Sequence, residues 1–287
     1  YRYDEALYRL GWANFKLAGT DTKLYGEAIY YFLRVIDDID KARKADPDQV
    51  KSRHEVYNES IQYIGLCYYY MEDDSGKPED PSFKSALTEC KRLILQLNKQ
   101  KKAYAPEILK SLGDVYHSLQ KDDHTIPAYS LMQELFPYYK DAADIQLRIV
   151  EAYRGDDVKY KYRSEAKSFE ERYKLFKKFN TKSEWYATLK SMSIENKYDL
   201  LVKAERNADK SLAQNIFLLY QDVSEKEEEI FKAYQERKKP EVDPKTLVLD
   251  YEKLVAMCSE YLEYFPLNKD ASKIHFSMEL ILDRKLS

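Results

Sequence analysis

Apolar residues recur along this chain three and four apart, the spacing of one face of an α-helix, with charged and amide residues between them. Three stretches share one arrangement: Leu7-x2-Leu10-Gly11-x2-Asn14, Ile61-x2-Ile64-Gly65-x2-Tyr68 and Leu109-x2-Leu112-Gly113-x2-Tyr116. Each is followed by an Ala-x3-large pair, namely Ala28 with Phe32, Ala86 with Cys90 and Ala128 with Met132. The period predicts helices over about 1–18, 23–44, 50–72, 81–98, 104–120, 125–136, 139–154, 160–178, 182–207, 210–237, 244–264 and 268–284, paired as antiparallel hairpins.

Breakers mark the ends. Phe136-Pro137-x2-Lys140-Asp141-Ala142-x2-Ile145 has a near twin in Phe265-Pro266-x2-Lys269-Asp270-Ala271-x2-Ile274. A proline just after an apolar helical run ends the helix, because it lacks the amide donor and clashes with the preceding turn. The Ala and Ile that follow begin the next helix. Gly19 to Thr22 and Asp73 to Ser82 have turn composition, and Asp122 to Pro127 reads as a cap followed by a proline near a helix start.

These motifs resemble the tetratricopeptide repeat, a helix-turn-helix unit in which small residues let two helices approach and large ones fill the space between. The resemblance implies an all-α fold, a right-handed superhelical solenoid of antiparallel helix pairs. It implies one continuous array over 1–287, with clear units at about 1–44, 50–98 and 104–136 and degenerate units over 139–287. Gln146-x2-Ile149-Val150-x2-Tyr153 matches a fourth unit with Val in place of Gly, and between 182 and 240 the pattern fades into longer helices, a degenerate unit or a bend. The repeats are longer than the family's period of about 34 residues, and the extra length falls in the loops between paired helices. The Phe-Pro junction resembles the variety found in bacterial envelope proteins, which favours the periplasm or cell envelope, with the cytoplasm as the alternative.

Composition agrees with helices and short connections: 7 Gly and 9 Pro, with 34% charged residues. Tyrosine, at 27 copies, is over-used, as in Tyr30-Tyr31 and Tyr68-Tyr69-Tyr70, where a ring can pack while its hydroxyl reaches water. A net charge of −3 argues against nucleic acid as a partner, since that binding draws on a basic face. No apolar stretch approaches the roughly 20 residues that span a bilayer. The chain opens at Tyr1 without Met and stops without a helix to complete the last unit, the expected look of a segment of a longer protein. Cys67, Cys90 and Cys258 sit in apolar helical contexts as buried small hydrophobes, or, for Cys67 and Cys90 on paired helices, as a disulfide.

Catalytic constellations are missing from the sequence. His54-Glu55 is followed by Asn58 where a zinc-protease motif requires His, and the remaining histidines, His117, His124 and His275, show no ligand spacing. Asp73 to Asp80 lacks the alternating oxygens of a calcium loop, and no phosphate-cradling glycine loop or Gly-x-Ser-x-Gly elbow occurs. The expectation is a protein that is not an enzyme and carries no cofactor or metal.

In the repeat family the first helix of each unit lines a concave groove. Carried over, the resemblance assigns groove positions to Glu5, Tyr8, Arg9, Trp12, Phe15 and Lys16 in the first unit. It assigns Gln62, Tyr63, Leu66, Tyr69 and Tyr70 in the second, and Lys110, Asp114, His117 and Ser118 in the third. Such aromatic clusters mark contact surfaces or ordinary packing, and both readings stand here. The carboxylate clamp of chaperone-binding repeats needs Lys and Asn where Tyr8 and Trp12 stand, so a peptide with apolar anchors fits better. The expected function is a scaffold that binds a protein or peptide. The alternatives are the recruiting arm of an enzyme whose catalytic domain lies outside this segment, or a spacer without a groove ligand.

Overall fold

A computed structural model describes residues 3–45, 53–72, 85–155 and 163–285. The acidic turn at Asp73 to Ser82 and the first residues of the helices expected at 1, 50, 81 and 160 lie outside the described residues. The described chain is all-helical, with twelve helices and no strand among those residues. It divides into two compact units, Tyr1–Tyr139 and Lys140–Ser287.

The first unit holds α1 (Tyr3–Leu17), α2 (Lys23–Ala45), α3 (His54–Met71), α4 (Ala86–Lys99), α5 (Ala105–Ser118) and α6 (Asp122–Leu135). Helix α1 packs on α2, α2 on α3, and α5 on α6, while α1 also reaches α3 and α3 lies directly against α5. The three signature glycines sit at these contacts. A Cβ on Gly11 would meet the Phe32 ring of α2 at 2.8 Å, and one on Gly113 the Tyr129 ring of α6 at 2.4 Å. Gly65 differs, because its close neighbours are the side chain and backbone of Ser111 and the backbone of Leu112 on α5, not its own hairpin partner α4. Leu7, Ile61, Ile64, Leu109 and Leu112 are buried as the pattern requires, whereas Leu10 is 47% exposed and takes no part in the core.

The second unit holds α7 (Ala142–Tyr153), α8 (Glu165–Phe179), α9 (Glu184–Ser191), α10 (Lys197–Gln235), α11 (Pro244–Tyr264) and α12 (Ala271–Lys285). Helix α8 packs on α7 and α10, and α11 on α10 and α12. The two helices expected over 182–207 and 210–237 are instead the short α9 and the 39-residue α10. Asn207-Ala208-Asp209-Lys210 holds neither Gly nor Pro, so the helix continues through it. The break falls earlier, at Asn196, whose φ of 57° turns the chain into α10.

The twin Phe-Pro motifs fold alike. Phe136 and Phe265 follow their helices with φ of −134° and −130°, and each amide donates to the carbonyl four residues back, Met132 and Tyr261. The next helices then open at Ala142 and Ala271. Helix α6 starts at Asp122, so Pro127 sits inside it rather than at its first turn.

Many tyrosines act as latches between helices. In the first unit Tyr104 donates its hydroxyl to Asp37 at 2.8 Å, Tyr116 to Glu72 at 2.9 Å, Tyr129 to Asp114 at 2.6 Å and Tyr139 to Glu107 at 2.7 Å. In the second, Tyr173 donates to Glu260 at 2.9 Å, Tyr251 to Glu227 at 2.9 Å and Tyr261 to Asp209 at 2.6 Å. Each joins residues far apart in sequence or on facing helices. The arrangement buries the ring, only partly at Tyr173, and satisfies the hydroxyl with a charged acceptor, a hydrogen bond worth roughly 1.5–3 kcal/mol.

Cys67, Cys90 and Cys258 are free and fully buried, which removes the disulfide reading. Burial pushes all three thiols up to about 12. A thiol-specific reagent such as dithionitrobenzoate, applied at about pH 8, is therefore expected to label none of the three in the native protein and all three after denaturation. Rapid native labelling would show that these helices open readily.

Candidate functional site

An open cleft of about 330 Å³ runs between α3 and α5 in the first unit. The contact at Gly65 draws the two helix backbones together, and the side chains to one side of it splay apart. Leu66 comes from α3, with Ile61 and Gln62 one turn earlier. Lys110, Asp114, Val115 and Ser118 face them from α5. The charged groups here are already partnered. Lys110 pairs with Asp114 at 2.6 Å, Asp114 also accepts from Tyr129, and Glu107 accepts from Tyr139. What the cleft offers a guest is an apolar strip from Ile61, Leu66 and Val115, edged by the amide of Gln62 and the hydroxyl of Ser118.

The sequence-assigned groove residues separate into three groups. Leu66 and Asp114, with Gln62, Lys110 and Ser118, meet in the cleft. Phe15, Tyr63, Tyr69 and Tyr70 join a run of rings that ties helices together. Phe32 stacks on Tyr63 at 5.3 Å, Tyr63 meets Phe15 edge-on at 5.0 Å, and Tyr70 lies 6.0 Å from Phe15 and 5.1 Å from Tyr69. Tyr69 in turn approaches Tyr116 on α5 at 6.1 Å. Tyr8 belongs with this group, since its ring faces Phe32 and its hydroxyl donates to Glu59 on α3. Burial, then the Glu59 carboxylate, pushes the Tyr8 hydroxyl well above its ordinary value.

The third group stands apart from the cleft. Arg9 pairs with Glu5 one turn back, and Trp12, 43% exposed, carries the Lys16 ammonium over its ring at 5.1 Å. His117 lies 6.5 Å from the Tyr129 ring, and its Nδ1 is buried without a hydrogen-bond partner. The repeat pattern does not mark Ile61 and Val115 as groove residues. Ile61 occupies a signature packing position, and it serves both purposes because its side chain bridges the core and the cleft wall.

Among the described residues no group of three or more His, Cys, Asp or Glu side chains converges as a metal site. No described helix is long and apolar enough to cross a membrane. No protein-family model matches the chain, and no curated protein matches it.

Proposed function

We propose that this chain is a non-catalytic interaction scaffold of stacked helix pairs, similar to tetratricopeptide repeats, that holds a peptide or protein segment in the groove between α3 and α5. Supporting the stacked reading, α1, α3 and α5 are the first helices of successive hairpins, and α3 touches both of the others. The observation that carries the binding reading is the cleft itself: an open apolar strip between two first helices, with its charges partnered internally and amide and hydroxyl groups at its edges. Such a surface suits apolar anchors on a polypeptide whose backbone needs hydrogen-bond partners. The mutual packing of Phe15, Tyr63 and Phe32 supports the spacer reading for that part of the α1 end, while Tyr70 keeps half of its surface exposed.

The test is a selection of random peptides displayed on phage against the immobilised chain, followed by anisotropy measurements on the selected peptides. Gln62 and Ser118 are exposed, so Gln62→Arg and Ser118→Arg leave the core untouched. Each is expected to weaken the selected peptides by about tenfold or more, equivalent to about 1.4 kcal/mol, with the melting temperature unchanged. Peptides that bind both variants as tightly as the original chain would exclude the groove, and a selection that yields none would favour the spacer.

A further inference from the structure

The second unit holds a larger cleft, about 550 Å³, between α8, α10 and α11. Its floor is apolar, built from Phe169 on α8 and Leu218 and Leu219 on α10. Its walls are acidic, with Glu165 and Glu170 on α8, Asp222 and Glu225 on α10, and Asp250 on α11. The width is fixed from beneath by Arg172, 1% exposed, whose Nε donates to Asn215 on α10 at 2.7 Å and whose Nη2 donates to Glu165 at 2.6 Å. Asn215 in turn donates to the Phe169 carbonyl at 2.9 Å.

The charges in this cleft do not balance. Arg172 neutralises Glu165, and Lys226 is shared between Asp222 and Asp250 at 2.7 and 2.8 Å. Glu170 and Glu225, on opposite walls, form no ion pair with any described residue, and Glu225 accepts only the neutral Gln221 amide at 2.9 Å. The remaining cation of the lining, Lys253, holds its ammonium 4.8 Å from the centre of the Phe169 ring, which shows that the floor accepts a cation on its aromatic face. Beyond the Phe169 and Lys253 bridge the hollow resumes along α8 and α11 with a further volume of about 550 Å³, past Tyr173, Met257 and Ser259. Two hollows in file form a track longer than a single small amine needs.

We infer that this track is a second docking surface, and that its occupant is an extended polypeptide segment alternating apolar and cationic residues. The apolar residues would rest on Leu218, Leu219 and Met257, and separate lysines or arginines would pair with Glu170 and with Glu225. The surface is independent of the α3 and α5 groove, so either can fail without the other.

The probe is a fluorescein-labelled peptide of five Leu-Arg repeats, with a Leu-Glu peptide of equal length and spermine as comparisons. The cationic peptide is expected to bind the full chain, and more weakly as salt is raised. Two variants test the site. Ala166→Trp, at an exposed position on α8, blocks the cleft without changing charge, and the double variant Glu170→Lys with Glu225→Lys reverses both carboxylates that form no ion pair among the described residues. Each is expected to lower affinity about tenfold or more while Ser118→Arg in the first unit leaves it unchanged. Equal binding by Ala166→Trp, or equal binding of the Leu-Glu peptide, would overturn the proposal. Displacement of the peptide by spermine at matching concentration would overturn it in favour of a small polyamine.

Discussion

Gly65→Leu is expected to destabilise the first unit by at least about 3 kcal/mol, enough to broaden or abolish its cooperative thermal transition. A Cβ at this position would lie 2.4 Å from Ser111 Oγ, 2.9 Å from the Ser111 carbonyl carbon and 3.0 Å from the Leu112 nitrogen. Two of these atoms belong to backbone, so no rotamer change relieves the clash and α3 must move off α5. The control is Gly26→Ala on α2, where an added Cβ meets nothing within 4 Å. An exposed helical glycine replaced by alanine is expected to stabilise by roughly 0.5–1 kcal/mol. Circular dichroism melts of the two variants check both. An unchanged midpoint for Gly65→Leu would mean that α3 and α5 do not touch in solution.

The second large effect is alkaline unfolding. Burial is the chief cause holding the hydroxyls of Tyr68, Tyr104 and Tyr116 well above their ordinary range, reinforced at Tyr104 and Tyr116 by the Asp37 and Glu72 carboxylates. Burial likewise pushes Tyr57 up to about 12 and the three thiols to about 12. In every case the folded value is raised, so the stabilisation is complete below the unfolded value and is lost as pH climbs toward the folded one. The unfolded thiols release protons near about 8.5 and the unfolded tyrosines near about 10, while the folded groups keep theirs. Each such group then removes up to about 1.4 kcal/mol per pH unit. The melting temperature is expected to hold up to about pH 8, then fall with increasing steepness above about pH 10, and the buried tyrosines should ionise together with unfolding. Absorbance at the tyrosinate band, followed alongside helicity, checks this. Ionisation of all tyrosines near their ordinary value with helicity intact would contradict the burial of these rings.

Periodicity alone locates most of the helices, because amphipathic spacing and the Phe-Pro breakers are local signals. It fails where the signal is not local. The ends of α4, α5 and α10 are closed by Lys101, Gln120 and Arg237 at φ of 56°, 56° and 55°, with the following amides of Lys102, Lys121 and Lys238 bonding back to Leu97, Tyr116 and Ala233. That closure usually calls for glycine, so its sequence signature is missing here. The tyrosine excess is visible in the composition, but its reason is not, since the carboxylate that receives each hydroxyl is set by the folded arrangement of other segments. The cleft follows the same division. Leu66, Lys110 and Asp114 stand between packing positions on their own helices, which is legible. Whether Tyr63 or Tyr69 faces a guest or another ring depends on how neighbouring helices cross, and the structure turns both toward rings.

The most direct test of the groove is a methyl-resolved NMR titration of the full chain with a peptide recovered from the selection. The account predicts that shifts concentrate at the methyl groups of Ile61, Leu66 and Val115, with those of the second unit unmoved. Shifts centred on other methyl groups, with these three silent, would contradict it.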